Sequence, residues 1–161
     1  AQGVKPDQVE SIELRVHSLV LELTGKKEPR DGLQGKFSVY HGCAAGLIFG
    51  QAGEEEFSDA VVNDPAVVAL RNKVRATVDN SIHEAAVDVT AVLVDGRRVH
   101  VRVDHAIGSL ENPLTDIQLE AKFKSLVTPV LGEAKARDIT AACWRLGSLA
   151  DVRDLLDLCR P

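Results

Sequence analysis

The hydrophobic and polar positions of this chain change period several times, and each change marks an element. Ile12, Leu14 and Val16 alternate with Ser11, Glu13, Arg15 and His17, the period-2 pattern of a half-buried strand, and residues 9–23 read as extended. Residues 24–35 hold Gly25, Lys26, Lys27, Pro29, Gly32 and Gly35 and read as a long basic loop. The next segment, Lys36 to Phe49, is apolar in every direction once it is wound at helical spacing, which predicts a helix buried on all sides. Ser38 suits its N-cap and Gly50 its stop.

A short polar connector begins at Glu54-Glu55-Glu56. Asn63-Asp64-Pro65 then signals a helix start, with Asp64 as cap and Pro65 in the first turn. That helix runs to about Lys73, followed by a strand over 74–79. Val87, Val89, Ala91 and Leu93 alternate into Asp95-Gly96, and Val99, Val101 and Val103 alternate out of it, predicting a tight β-hairpin. Arg98, His100 and Arg102 fall on its other face, a row that reads as a solvated sheet face. After Gly108 the chain turns helical: a capping box at Thr115 and Gln118, an amphipathic helix ended by Gly132, a second over 133–146 and a third over 149–158. The predicted architecture is α+β, an antiparallel sheet with packed helices in two layers over residues 1–110, then a helical tail over 111–161.

Composition narrows the possibilities. The chain has 161 residues, 45% hydrophobic and 27% charged, as a folded globular domain does. A formal charge of −5 speaks against nucleic acid as a partner. No apolar run approaches the roughly 20 residues of a membrane span, and no signal-peptide pattern opens the chain. Cys43, Cys143 and Cys159 are an odd count without paired spacing, so free buried thiols and a cytoplasmic location are expected. The five histidines never stand three or four residues apart, which argues against a metal site built within the chain. Several helical faces are too apolar for a finished protein and methionine is absent, so a portion of a longer chain is expected.

His41 is the candidate for chemistry. A lone helical histidine is more often a satisfied core residue than a catalyst, but a polar ring in a buried helix needs a partner, a cavity or a job. Tyr40 adjoins it and Lys36 lies one turn earlier. Lysine, tyrosine and histidine are the groups that bind carboxylates or move protons at carbon.

Several motifs run in family order. They are Lys36-Phe37-Ser38 with its apolar helix, Phe57-Ser58-Asp59, Asp64-Pro65-Ala66-Val67, Asp95-Gly96-Arg97, Gly108-Ser109-Leu110-Glu111-Asn112-Pro113-Leu114 and Leu119-Glu120-Ala121-Lys122-Phe123. Together they resemble the carboxy-terminal part of the MmgE/PrpD family, which includes 2-methylcitrate dehydratase, cis-aconitate decarboxylase and an iminodisuccinate epimerase. The resemblance implies proton abstraction beside a carboxylate of a small polycarboxylic acid, with no metal or organic cofactor. It also implies a homodimer, and an active site between a large helical domain and an α+β lid. This chain would be the lid with its closing helices. Most of the family's acid/base groups would then lie outside it.

One family active-site position falls within the chain. It is the residue three after the serine of the Lys-Phe-Ser motif, a tyrosine in the decarboxylase branch and His41 here, which argues against a cis-aconitate decarboxylase. His41 is thus the expected proton donor or carboxylate ligand, with Tyr40 secondary, and Lys36 and Ser38 as residues that shape the helix start and the substrate site. The isolated chain is expected to be inactive. The alternative expectation is a non-enzymatic association module whose apolar helical faces pair with a second copy or another domain.

Overall fold

The computed structural model of the protein describes residues 3–160. These fall into two compact units, residues 3–106 and 107–160, each described by itself.

The first unit is built on a four-stranded sheet in the order β2-β1-β3-β4. Its strands are β1 (Val9–Val16), β2 (Val74–Val78), β3 (Val87–Leu93) and β4 (Arg98–Val103). The hairpin of β3 and β4 forms as its alternation predicts, turning at Asp95-Gly96, where Gly96 takes φ 82°, a left-handed conformation that glycine adopts at little cost. β1 pairs with β3 antiparallel and with β2 parallel. The sheet is therefore mixed at one edge. The parallel edge follows from the helical crossover between β1 and β2, since parallel neighbours need a long connection.

Alternation decides which face is covered. Ile12 stands between Val74 and Ala91, Leu14 between Ala76 and Val89, and Val16 between Val78 and Val87. Ile12, Leu14 and Val16 are buried with Tyr40, Ala44, Val67 and Leu70 of the helices. On the other face Glu13, Arg15, Arg75, Asp88, His100 and Arg102 share cross-strand positions. Arg98, His100 and Arg102 are exposed, as expected of a solvated row, but the row is neutralised. Asp88, only 7% exposed, lies 3.1 Å from both His100 Nε2 and Arg102 Nη1, and Arg98 pairs with Glu13.

The expected extended segment 9–23 ends early. β1 stops at Val16, and α1 (Ser18–Thr24) follows, with His17 as N-cap accepting from the Leu19 N–H at 3.2 Å. The alternation ends at Val16, and local capping takes over from there. Within the predicted loop, α2 (Gly32–Gly35) is a single turn capped by Asp31.

α3 (Val39–Phe49) is the buried helix, capped by Ser38 and closed by Gly50 at φ 74°. It packs on α5 (Pro65–Arg71) and β2. α4 (Asp59–Val62) precedes α5, and Asp64 caps α5 by accepting from the Ala66 and Val67 N–H groups. α5 ends at Arg71, two residues before the expected Lys73.

The second unit holds α6 (Asp116–Leu131), α7 (Glu133–Trp144) and α8 (Arg153–Leu158). The Thr115–Gln118 capping box opens α6. The second helix ends at Trp144, short of the expected 146, and a 3₁₀ turn at Leu146–Ser148 follows it; α8 begins at Arg153 rather than at the expected Leu149. Cys143 and Cys159 are exposed, against the expectation of buried thiols, since the faces that carry them are uncovered within the chain. Cys43 is part-buried, and burial raises its thiol pKa to about 11. No helix among the described residues is long and apolar enough to cross a membrane.

One close approach fixes α2 against the following turn. A Cβ added at Gly32 would stand 2.1 Å from the Phe57 carbonyl oxygen. Backbone cannot yield cheaply there. Gly32→Ala is expected to lower stability by about 1–3 kcal/mol, measured by urea unfolding; an unchanged midpoint would contradict the packing.

Candidate functional site

The site grows from the start of α3. Ser38 adopts an extended conformation and its Oγ accepts from the His41 N–H at 3.1 Å. That bond satisfies one of the open donors of the first turn. It also places the His41 side chain on the flank of α3 that meets the turn Glu55–Phe57.

The His41 ring is fully buried. Its Nε2 lies 2.8 Å from the Glu56 carbonyl oxygen. A carbonyl only accepts, so Nε2 carries the hydrogen and donates. The Phe57 ring meets the imidazole edge-on, with centroids 5.1 Å apart. Gly35 closes another side: a Cβ there would lie 2.8 Å from Val62 Cγ2 and 3.5 Å from His41 Cδ2. His41 Nδ1 is buried without a hydrogen-bond partner among the described residues. The ring is therefore a neutral imidazole with one lone pair uncommitted. Burial lowers its pKa, the bond to the Glu56 carbonyl opposes this, and the Arg71 charge adds to the lowering.

Glu56 holds the turn in place. The sequence marks it only as part of a polar connector, yet it is 5% exposed. Its carboxylate accepts from Gln51 Nε2 and from the Gly53 N–H, both at 2.8 Å. The Gln51 bond is the main reason its pKa is lowered; burial opposes that, and the Gly53 bond supports it. Lys36 reaches the start of the same turn, its Nζ lying 2.7 Å from Glu54 Oε1. His41 and Lys36 are thus brought to one turn, and Ser38 serves as the cap beneath them. Tyr40, 5% exposed, faces elsewhere and lines a cavity with Arg71 and Arg75.

The other histidines stand apart from this arrangement. His83 and His105, in loops at the end of the sheet, have ring centroids 6.4 Å apart. Among the described residues no group of three His, Cys, Asp or Glu side chains could hold a metal ion. Two functional candidates carry no sequence signal: Arg71, because a single arginine at a helix end is ordinary, and the Glu56 carbonyl, because backbone acceptors are invisible to residue type.

Residues 1–146 match the MmgE/PrpD C-terminal domain. The chain belongs to this family. A search of curated proteins finds no match to it. The match covers the whole first unit and the second as far as the turn after α7. It includes every motif that carries the resemblance, and the Lys36–His41 segment of this MmgE/PrpD domain with it.

The imidazole is held neutral, which fixes a pH dependence. In the unfolded chain His41 titrates near its ordinary value of 6.5, and in the folded chain below it. The unfolded state therefore binds the proton first, and stability falls as pH drops through 6.5 toward the folded-state value. The thermal midpoint is expected to fall over that interval. In His41→Gln this part of the fall should be absent; an identical pH profile in the variant would show that His41 does not carry it.

Proposed function

We propose that this chain is the carboxy-terminal lid domain of an MmgE/PrpD-type lyase or isomerase acting on a small polycarboxylate, by proton abstraction and elimination of the 2-methylcitrate dehydratase kind, without a cofactor. Its membership of the family over residues 1–146 carries the reading. The full enzyme would be a cytoplasmic homodimer whose helical domain supplies the remaining acid/base groups. Loss of a proton beside a carboxylate builds enediolate charge, which positioned donors and cations stabilise.

His41 is the group this domain contributes. Its Nε2–H is committed to the Glu56 carbonyl, so its free Nδ1 lone pair is the atom that accepts a proton or a substrate hydroxyl. That atom is buried, so substrate reaches it only once the groups around it give way. The Arg71 charge disfavours a second positive charge on the ring and favours a carboxylate nearby. Tyr40 is a second proton carrier in this scheme, Lys36 a carboxylate ligand released from Glu54, and Ser38 the residue that sets the helix start.

Isolated lid should not turn over 2-methylcitrate, because most of the chemistry lies elsewhere; measurable dehydration by the 161-residue chain would refute this. In the natural protein that contains the chain, His41→Ala should lower turnover by more than about tenfold. His41→Asn keeps a side-chain donor for the Glu56 carbonyl and should be slowed as well, with its fold retained by circular dichroism. Full turnover in a folded variant would remove His41 from the reaction.

A second reading, a non-enzymatic association module, is favoured by α6. None of its residues is buried, and Ile117, Leu119, Leu126 and Val130 are exposed. Uncovered apolar faces of this kind mark association surfaces. Sedimentation is expected to show dimers or larger species, and a strict monomer that binds no hydrophobic dye would count against this reading.

A further inference from the structure

The free edge of β2 is the most open hydrogen-bonding surface of the first unit. β2 is the outermost strand, with β1 as its one neighbour. Ile12 pairs with Val74, Leu14 with Ala76 and Val16 with Val78, all parallel. In a parallel ladder each of these β1 residues bonds the two residues that flank its partner. The Ile12 N–H donates to the Lys73 carbonyl at 3.0 Å, and the Asp79 N–H donates to the Val16 carbonyl at 2.8 Å. Lys73, Arg75, Thr77 and Asp79 therefore turn their main chain toward β1. Val74, Ala76 and Val78 turn theirs outward, and their N–H and carbonyl groups make no hydrogen bond among the described residues.

A cavity of about 470 Å³ runs along this edge and touches every residue from Val74 to Thr77. Lys27 and Glu28 from the loop after α1, Tyr40 from α3 and Arg71 from the end of α5 also line it. The charges of this lining are unevenly matched. Glu28 acts on Arg71, whereas Lys27 and Arg75, both exposed, make no hydrogen bond or ion pair among the described residues. Two uncompensated cations thus flank an unpaired strand edge, in a chain whose net charge is −5. Sheet edges are usually blunted by a proline, a bulge or a covering loop. β2 has no proline and its register with β1 is unbroken, so its outward main chain stays in step for one more strand.

We infer that this edge is a docking site for an extended acidic segment of a partner protein, which pairs with β2 as a fifth strand. Main-chain hydrogen bonds to Val74, Ala76 and Val78 hold the segment, and Lys27 and Arg75 select its side chains. Side chains alternate across a strand. Those of the added strand on the open face of the sheet lie beside Arg75 and Thr77, where a carboxylate is favoured. Those on the covered face lie beside Val74 and Ala76, where a small apolar side chain fits. The expected segment therefore alternates acidic and apolar residues. The same cations disfavour a second copy of this chain, because pairing β2 with its own copy brings Lys27 and Arg75 of both chains to one seam. A small anion meets the cations but leaves the outward main-chain groups unused. The inference concerns a surface apart from His41 and does not rest on the catalytic reading.

The test is titration of the isotope-labelled 161-residue chain with a capped peptide of alternating glutamate and valine, matched to the five residues of β2. Saturable binding is expected. Amide hydrogen exchange at Val74, Ala76 and Val78 should slow by about tenfold or more, with Arg75 and Thr77 unchanged because they already donate to β1. Replacing each glutamate of the peptide by lysine should weaken binding by about tenfold or more. Lys27→Glu with Arg75→Glu should weaken the glutamate peptide and restore the lysine peptide, with the thermal transition kept. N-methylating the peptide at alternate residues should abolish binding in one phase and leave it in the other. Absence of saturable binding, equal binding of the lysine peptide, indifference to N-methylation in both phases, or protection confined to other segments would each overturn the inference. So would protection of the same amides by chain concentration alone, which assigns the edge to a second copy, or by citrate alone, which assigns the cavity to a small anion.

Discussion

The hydrogen bond from the His41 ring to the Glu56 carbonyl is the constraint around which the helical layer is arranged. A buried imidazole and a buried carbonyl each need a partner, and here each supplies the other. Meeting that need fixes how α3 rotates about its axis and how closely the Glu55–Phe57 turn approaches. Gly35 and Gly32 then have no room for a side chain, because α2 must lie against the same turn. With α3 so oriented, Tyr40 and Ala44 face the sheet and join Ile12 and Leu14 in the core. One polar pair in an apolar layer thus selects one packing among the many that an evenly hydrophobic helix would accept.

That evenness explains what was legible in the sequence. Ser38, Gly50, Asp64, Pro65, Asp95-Gly96, Thr115 and Gln118 announce element boundaries because caps and tight turns use local chemistry, and the structure places them as expected. The α+β class and the family were legible too, the first from period changes and the second from motifs in order. Boundaries without a marked cap were less so. β1 hands over to α1 at His17, an unusual capping residue, and α8 begins after a 3₁₀ turn that no periodicity signals.

The candidate site was half legible. His41 stands out as an ionisable group in an apolar helix, and its burial follows from that. Its partner does not, because the Glu56 backbone carbonyl is the same in every residue type. Glu56 itself looked like one charge in a run of three, and only tertiary hydrogen bonds from Gln51 and Gly53 distinguish it. Arg71, Lys27 and Arg75 are far apart in sequence and meet only through the crossover, so their shared cavity had no linear signature. The overall negative charge concealed it further.

The parallel pairing of β2 has a consequence for how the unit is held together. The β3–β4 hairpin closes over a tight turn, whereas the register of Ile12 with Val74 closes a loop that contains five helices. Loop closure costs more entropy as the loop lengthens, so this pairing costs more to close than the hairpin does. The strand beside the cationic cavity is therefore the one least tied by chain connectivity to its neighbour. β2 also contacts α3 and α1, so its place at the edge of the sheet rests on the helical layer as well as on β1.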